Sequence, residues 1–481
     1  MPPSQHAPRR RPRYGRTPHG VTVRHAPAIL RVSPGAVRTP QWRDRYVPVR
    51  AKFLLSCLFA SSWMALSIWL SLHWVEDLAR VLEPWLAVTI IAFVAYVPGF
   101  MNAFLVSTLL LDNRPRRALP ARYPGVTVLI AAYNEADAIG DTLRSVLHQH
   151  YPGEVEVIVV DDGSTDATVA VARQVVDEAG PVPIQARIER VARNAGKAAA
   201  LNHGLSLARH DSLVTLDGDS WLHPLALQRI VERRITDPAS TRAVAGAVLV
   251  RNSRESWVTK AQEWDYFHGI AAVKRMQSMY HGTLVAQGAF SLYDREALDE
   301  VGGWPDCVGE DIVLSWALLK AGHRIGYAED SLVFTDAPTG LRKFLLQRKR
   351  WARGMIEAFR HHSGLLLKPR MTTLFIWWNL LFVPLDLVFT AAFIPGVVLA
   401  LFGLYYIVGP MTLAVLPLAI AWNLVIYRVQ RRVLHRLGLR VRRNVAGFLF
   451  YVLGYNALMQ PVSVWGYASE ILGLRKRWDT K

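Results

Sequence analysis

The chain has 481 residues, 51% of them hydrophobic, with a mean hydropathy of +0.16, high for a water-soluble enzyme. Lysine and arginine number 56 against 38 acids, a formal charge of +18, and the only cysteines are Cys57 and Cys307. These numbers exclude a disulfide framework and a thiolate metal cluster. They leave two sources for the basicity, a nucleic-acid surface or positive loops beside a membrane.

Residues 1–51 are rich in Arg and Pro, and Asp44 is their only acid. They read as a basic, disordered cytoplasmic tail attracted to anionic lipid. Residues 52–111 hold two apolar blocks, KFLLSCLFASSWMALSIWLSLHWV (Lys52–Val75) and WLAVTIIAFVAYVPGFMNAFLVSTLLL (Trp85–Leu111). Each is long enough to cross about 30 Å of hydrocarbon. Asp112, Arg114, Arg116 and Arg117 close the second block on a basic flank, so the hairpin is expected to return to the side of the tail.

Residues 120–340 change character. VTVLIAAYN, VEVIVVDDGS and SLVTLDGDS read as buried strands that run into polar loops. AIGDTLRSVLHQ and DATVAVARQVV between them read as helices. This alternation predicts an α/β domain with a mostly parallel, Rossmann-like sheet and helices on both faces. Ligands in such domains bind at the carboxyl ends of strands, where Asn134, Asp161, Asp162, Asp217 and Asp219 fall.

Residues 341–368 carry LLQRKRWARGM. Gln347, Arg350 and Trp351 sit at offsets of three and four, on one helix face. Leu341, Phe344, Leu345, Met355 and Phe359 recur with a similar period, as on an amphipathic interface helix. Residues 372–472 are apolar again and contain two long spans or three short ones up to Tyr427. The basic run RVQRRVLHRLGLRVRRN (Arg428–Asn444) follows, then a last apolar segment, Ala446–Leu472. Basic residues flank that segment on both sides. If it crosses once, one end breaks the positive-inside rule; otherwise it is re-entrant.

Five stretches carry chemistry. In LDGDS, Asp217 and Asp219 lie two apart on an extended segment and point the same way, so they could flank one Mg²⁺ or Mn²⁺. A polar turn is the plainer reading. ARNAGKAAALNHG puts Lys197 at a helix start, where a cation and the helix N-terminus together suit a phosphate. GEDIVLSW opens a helix with Glu310 and Asp311, which are either ordinary dipole partners or a source of a general base. AAYNEA and DDGSTD end successive strands and suit a nucleoside pocket or, more plainly, helix starts.

Taken together, AAYNEA, VVDDGSTD, NAGKAAALNHG, LDGDS, GED and QRKRW resemble, in order and spacing, the motifs of the processive, membrane-embedded family-2 glycosyltransferases. That family includes cellulose, chitin and hyaluronan synthases. Within it, GAVLVRNSRESWVTKAQEWDYFHGIAAVKRMQSMYHGTLVAQGAFSLYDREAL is most similar to the acceptor-side region of the poly-β-1,6-N-acetylglucosamine synthase branch. The resemblance covers about Lys52 to the last residue. It implies a GT-A-like cytosolic domain inserted between α-helical transmembrane segments of the cell (inner) membrane. It also implies an inverting transfer from a UDP-sugar, most simply UDP-GlcNAc, onto a growing polysaccharide.

By the same resemblance, Ala132, Asn134 and Glu135 would contact the nucleoside. Asp162 would meet uracil or ribose, and Lys197 the nucleotide. Asp217 and Asp219 would hold the metal, and Asp311 would be the general base. Gln347, Arg350 and Trp351 would floor the site, with Arg350 on the diphosphate and Trp351 beneath the acceptor sugar. Gly309 stands where the family usually has Thr, and Gln287-Gly288 where it often has Ser-Gly. A small membrane accessory subunit is a further partner the resemblance implies; no nucleic acid is expected. The alternatives are a hyaluronan, chitin or β-glucan synthase, a non-processive membrane transferase, or a nucleotide-binding scaffold without activity.

Overall fold

The structure is a computed structural model, and it describes residues 46–114, 120–180 and 184–474. Most of the basic tail and the last seven residues lie outside the described residues, as do Arg116 and Arg117.

Eight strands form one sheet: β1 Val126–Ala132, β2 Val155–Asp161, β3 Ile184–Arg190, β4 Ser212–Asp217, β5 Ser220–Leu222, β6 Thr241–Val250, β7 Phe290–Asp294 and β8 Arg324–Thr335. Their order is β3-β2-β1-β4-β7-β6-β8-β5. The first four are parallel, as the strand–helix alternation predicts. The other half is mixed: β7 runs antiparallel to both β4 and β6, β8 parallel to β6, and β5 antiparallel to β8. β7 reverses because it follows a long helical excursion, residues 257–279, rather than a single crossover helix.

Alternation along β1 builds two cores, because successive side chains point to opposite faces. Val126, Val128 and Ile130 pack with helices α3 (Ile139–Leu147), α4 (Thr168–Ala179) and α6 (Ala226–Thr236). Leu129 faces the other way. It shares a core with α5 (Lys197–Leu207), α7 (Glu310–Ala321) and the apolar helices α2 (Pro84–Leu110) and α9 (Met371–Leu401), through Phe104 and Phe375. Each such ring adds roughly 1.5–3 kcal/mol by leaving water. The α/β domain and the apolar helices are therefore joined by one continuous core.

Polar contacts reinforce that junction. The hydroxyl of buried Tyr280 lies 3.2 Å from Ser56 Oγ of α1 (Val49–Leu70) and 3.0 Å from Thr108 Oγ1 of α2. Asp112, just past α2, is paired with Arg275 and with Arg114 at 2.9 Å, and Arg114 reaches Glu329 of β8 at 3.3 Å. The sequence marks Asp112 and Arg114 as a basic flank; here they dock the hairpin onto the sheet.

Among the described residues, α1, α2 and α9 are long and apolar enough to cross a membrane. A fourth candidate is the bent pair α11 (Val445–Leu453) and α12 (Tyr455–Ile471), broken at Gly454 by 51°. Between them lies α10 (Pro410–Arg436), apolar at its start and basic at its end. The amphipathic helix predicted over 341–368 is present as α8 (Leu341–His362) followed by a short 3-10 turn.

Both ends of the bent pair touch the α/β domain or α8. Before α11, Asn444 Nδ2 donates to Lys260 O at 2.8 Å, and Trp264 Nε1 donates to Asn444 O at 2.9 Å. At the end of α12, Glu470 is 2% exposed and pairs with Arg353 and Arg360 of α8, each at 3.0 Å. Along the way Tyr455 lies 5.7 Å from the Phe344 ring, and a Cβ on Gly466 would meet that of Ala352 at 2.6 Å. α12 thus lies along α8 over most of its length.

Gly246 marks an irregularity in the pairing of β6 with β8, and a Cβ there would fall 2.1 Å from the Phe290 ring. Gly246→Ala is expected to destabilise the sheet by about 1–3 kcal/mol through overpacking. A lowered thermal unfolding midpoint of the detergent-solubilised protein checks this; an unchanged midpoint contradicts it.

Candidate active site

The sheet order reverses direction between β1 and β4, and a crevice opens there at the strands' carboxyl ends. Ala132 ends β1 beside Asp161 of β2, and its carbonyl accepts from Asp162 N at 2.8 Å. Asn134 adopts φ +55°, a left-handed conformation that Asn tolerates better than most residues. Its N–H donates to Ser164 Oγ and its Oδ1 accepts from Thr165 N, both at 2.9 Å. Glu135 N donates to Thr168 Oγ1 at 2.8 Å. AAYNEA and DDGSTD are therefore laced into one rim, and Asn134 works as a clasp between the two loops.

Asp162 has a comparable task. Its two carboxylate oxygens accept from Ala195 N (2.9 Å) and Gly196 N (2.8 Å). That pins the NAGK turn, whose Gly196 has φ +94°, a conformation that suits glycine, and it sets Lys197 as the first residue of α5. Its neighbour Asp161 is fully buried, and one of its oxygens has no hydrogen-bond partner.

Lys197 reaches across to two acids. Its ammonium is ion-paired with Asp217 at the end of β4 and lies 3.6 Å from Glu310 at the start of α7. Burial works against its charge, but Asp217 and Glu310 outweigh burial and hold its pKa above the usual lysine value. Glu310 is buried and pushed up to about 7 by desolvation, with Lys197 and Arg350 opposing and Asp311 adding to the rise. Asp311 Oδ2 lies 3.5 Å from the Gly288 N–H. A Cβ on Gly288 would meet Lys197 Nζ at 2.5 Å, so this glycine leaves the room the ammonium occupies. Lys197, Asp217, Glu310, Asp311 and Gly288 therefore meet at one place, drawn from a helix, two strand ends and a second helix.

Asp219 lies just beyond, accepting from Thr335 Oγ1 at 3.3 Å. Desolvation, then the charges of Asp217 and Asp336, push it up to about 7. Asp336 is itself held by Arg251 through contacts of 3.0 and 2.6 Å. A carboxyl so raised is short of positive charge, which suits a nearby cation. Among the described residues, no three His, Cys, Asp or Glu side chains gather as a complete metal shell. Asp217 and Asp219 fit a cation whose remaining ligands come from substrate oxygens.

On α8, Trp351 is 39% exposed, and the Arg348 guanidinium lies 3.9 Å from its ring centroid. Arg350 is near enough to Glu310 to influence its charge, and buried Gln347 Oε1 has no hydrogen-bond partner. Sequence reasoning missed two residues here. Arg348, 2% exposed, pairs with Asp265 at 2.9 Å beneath Trp351. Lys274, buried behind the site, donates to Val285 O at 2.5 Å and is pushed down to about 8 by desolvation, which Asp311 opposes. Arg348 falls on the apolar stripe of Leu341, Phe344 and Met355, where a charge was the signal that could have found it; Lys274 offers no such signal.

Asp162→Ala removes both acceptors of the 195–196 turn, two charge-assisted hydrogen bonds at a partly exposed loop, a loss of about 1 kcal/mol. Faster hydrogen exchange in a peptide covering Ala195 and Gly196, with β1 peptides unchanged, is the expected result. Unchanged exchange at the turn would contradict the pinning role.

Residues 124–354 match the family described as "Glycosyltransferase like family 2". The poly-beta-1,6-N-acetyl-D-glucosamine synthases of Staphylococcus aureus (strain MSSA476) and Staphylococcus epidermidis are each 32% identical over 253 residues, 52% of this chain. The match spans 60% of the length of these relatives. A mannosyltransferase from Pyrobaculum calidifontis, solved in complex with GDP-Man and Mn2+, aligns over 81% of this chain and 99% of its own. Its TM-score is 0.55 at 20% identity, a likeness of fold. The mixed sheet, its crevice at the β1–β4 reversal and the family match converge: residues 124–354 form a family-2 glycosyltransferase domain of GT-A-like architecture.

Proposed function

We propose that the chain is a membrane-embedded, inverting β-glycosyltransferase that polymerises a UDP-sugar, UDP-GlcNAc in the first instance, into an exported polysaccharide. The observation that carries this reading is the meeting of Lys197, Asp217, Glu310 and Asp311 beside the helix that bears Arg350 and Trp351. Similarity to poly-N-acetylglucosamine synthases supports the choice of donor.

In this reading Asp311 takes the proton of the acceptor hydroxyl as the oxygen attacks the anomeric carbon from the face opposite UDP. The new glycosidic C–O bond forms while the bond to the diphosphate breaks, and UDP departs with that electron pair. Attack from the far face converts α to β. Lys197 and Arg350 offset the negative charge on the leaving group. Trp351 presents an aromatic face to the acceptor sugar. Asp217 and Asp219 would hold Mg²⁺ or Mn²⁺, which when bound supplies further positive charge for the diphosphate. Asn134 and Asp162 shape the nucleoside rim through the loops they fasten, with Ala132 and Glu135 alongside.

We infer a cytoplasmic catalytic domain with four crossings, α1, α2, α9 and α10, and a re-entrant α11–α12. The contacts of Asn444 and Glu470 support this, since both ends of the bent pair lie on the catalytic side. The basic stretches on either side of it then face the same compartment, as the positive-inside rule requires. A green fluorescent protein fused after Lys481 is expected to fluoresce, and alkaline phosphatase fused there to stay inactive. The reverse pattern would mean the last segment crosses.

The donor test uses detergent-solubilised protein with UDP-GlcNAc, UDP-glucose and UDP-glucuronate, singly and in pairs, following UDP release and product length. Long polymer from UDP-GlcNAc alone with β-1,6 linkage is the expected outcome. A need for UDP-glucuronate would point to hyaluronan, β-1,4 linkage to chitin, and polymer from UDP-glucose to a glucan. UDP release without polymer would favour a non-processive enzyme or a missing accessory subunit, and binding without turnover a scaffold. Chelation by EDTA is expected to stop turnover and Mn²⁺ to restore it. Turnover that survives EDTA would remove the metal from this account.

A further inference from the structure

Gly309 and Gly354 are in backbone contact. A Cβ on Gly309 would meet Gly354 Cα at 2.5 Å, and one on Gly354 would meet Gly309 Cα at 2.8 Å. α7 therefore starts directly against α8, with no side chain between the two backbones. At this contact the Gly309 N–H donates to Glu357 Oε2 at 2.8 Å, and Glu357 is 2% exposed. A carboxylate there satisfies one of the N–H groups that a helix start leaves unpaired and complements the positive end of the helix. Gln347, Arg350, Gly354 and Glu357 follow one another at offsets of three, four and three, so they share one stripe of α8. The stripe that faces the acceptor thus continues into the residues that hold α7. Asp311 stands two residues past Gly309, so whatever moves Gly309 moves Asp311 too.

We propose that Glu357 is a positioning residue: its hydrogen bond to Gly309, closed over the Gly309–Gly354 contact, sets Asp311 against the α8 stripe that carries Arg350 and Trp351. The inference rests on the reading of Asp311 as the proton acceptor. It also gives a physical reason for glycine at position 309, where a Thr side chain would meet the α8 backbone.

The test compares wild type, Glu357→Ala, Glu357→Gln and Gly354→Ala in lipid nanodiscs. Readouts are kcat and KM for the donor the wild type uses, and UDP affinity by calorimetry. Glu357→Ala is expected to lower kcat about 100-fold, the scale of a misplacement of roughly 1 Å, while UDP affinity stays within about twofold. Glu357→Gln keeps an acceptor oxygen and is expected to recover most of the rate. Gly354→Ala, which forces the helices apart, is expected to fall as Glu357→Ala does. If Glu357→Ala does not fold, the Gln and Gly354 variants carry the test. Wild-type kcat in Glu357→Ala, a Gln variant that folds but is as slow as the Ala variant, or kcat and UDP affinity falling together would each overturn the proposal. A wild type that turns over no sugar nucleotide would instead remove the reading of the site on which it rests.

Discussion

The site depends on one balance of charge. Lys197 stands at a helix start between Asp217, at the end of a strand, and Glu310, at the start of another helix. Glu310 is buried and Asp217 half-buried, and without that ammonium the two carboxylates would repel each other and draw water into the crevice. With it they are held together, and three separate stretches of chain are brought to one point. Gly288 leaves the space, and Asp162 fixes the turn from which the lysine extends. In the proposed reading a sugar nucleotide would bring its own negative charge to this place, and the balance would be redrawn when it binds. A lysine and an adjacent pair of acids that can accept a cation suit that exchange.

α8 links this centre to the apolar helices. It touches α7 through two glycines and α12 through the buried Glu470 with Arg353 and Arg360. Its exposed Trp351 is backed by Arg348, which is paired with Asp265 on the helical excursion between β6 and β7. The helix that the sequence offers as an amphipathic interface helix is thus also a wall of the crevice at the strand ends. Buried ion pairs of this kind add little net stability against apolar replacements. They do fix geometry, because breaking one leaves a charge unpaired.

Much of this was legible beforehand. The strands that end in AAYNEA, DDGSTD and LDGDS are mostly apolar and each runs into a polar loop, so the place of those loops at the strands' carboxyl ends followed from pattern and order. The face shared by Gln347, Arg350 and Trp351 followed from helical spacing. The antiparallel half of the sheet was not legible, since the direction of β7 depends on the path of residues 257–279 rather than on its own five residues. Nor was the work of Asn134 and Asp162 as fasteners: both oxygens of Asp162 are engaged by backbone N–H groups 33 and 34 residues away. The Gly309–Gly354 contact was hidden as well, because a glycine in sequence does not reveal which backbone it approaches. The bend of the last segment, which leaves both its ends in contact with the α/β domain or α8, was not visible in the pattern of charges.

The most direct measurement pairs catalysis with binding in Asp311→Asn. The substitution keeps the size of the side chain and removes only its capacity to take a proton. Turnover of the sugar nucleotide should fall by about 100-fold or more, while UDP binds as it does to the wild type. An Asn variant that polymerises at the wild-type rate, or one that loses UDP binding along with turnover, would contradict the account of Asp311 as the proton acceptor.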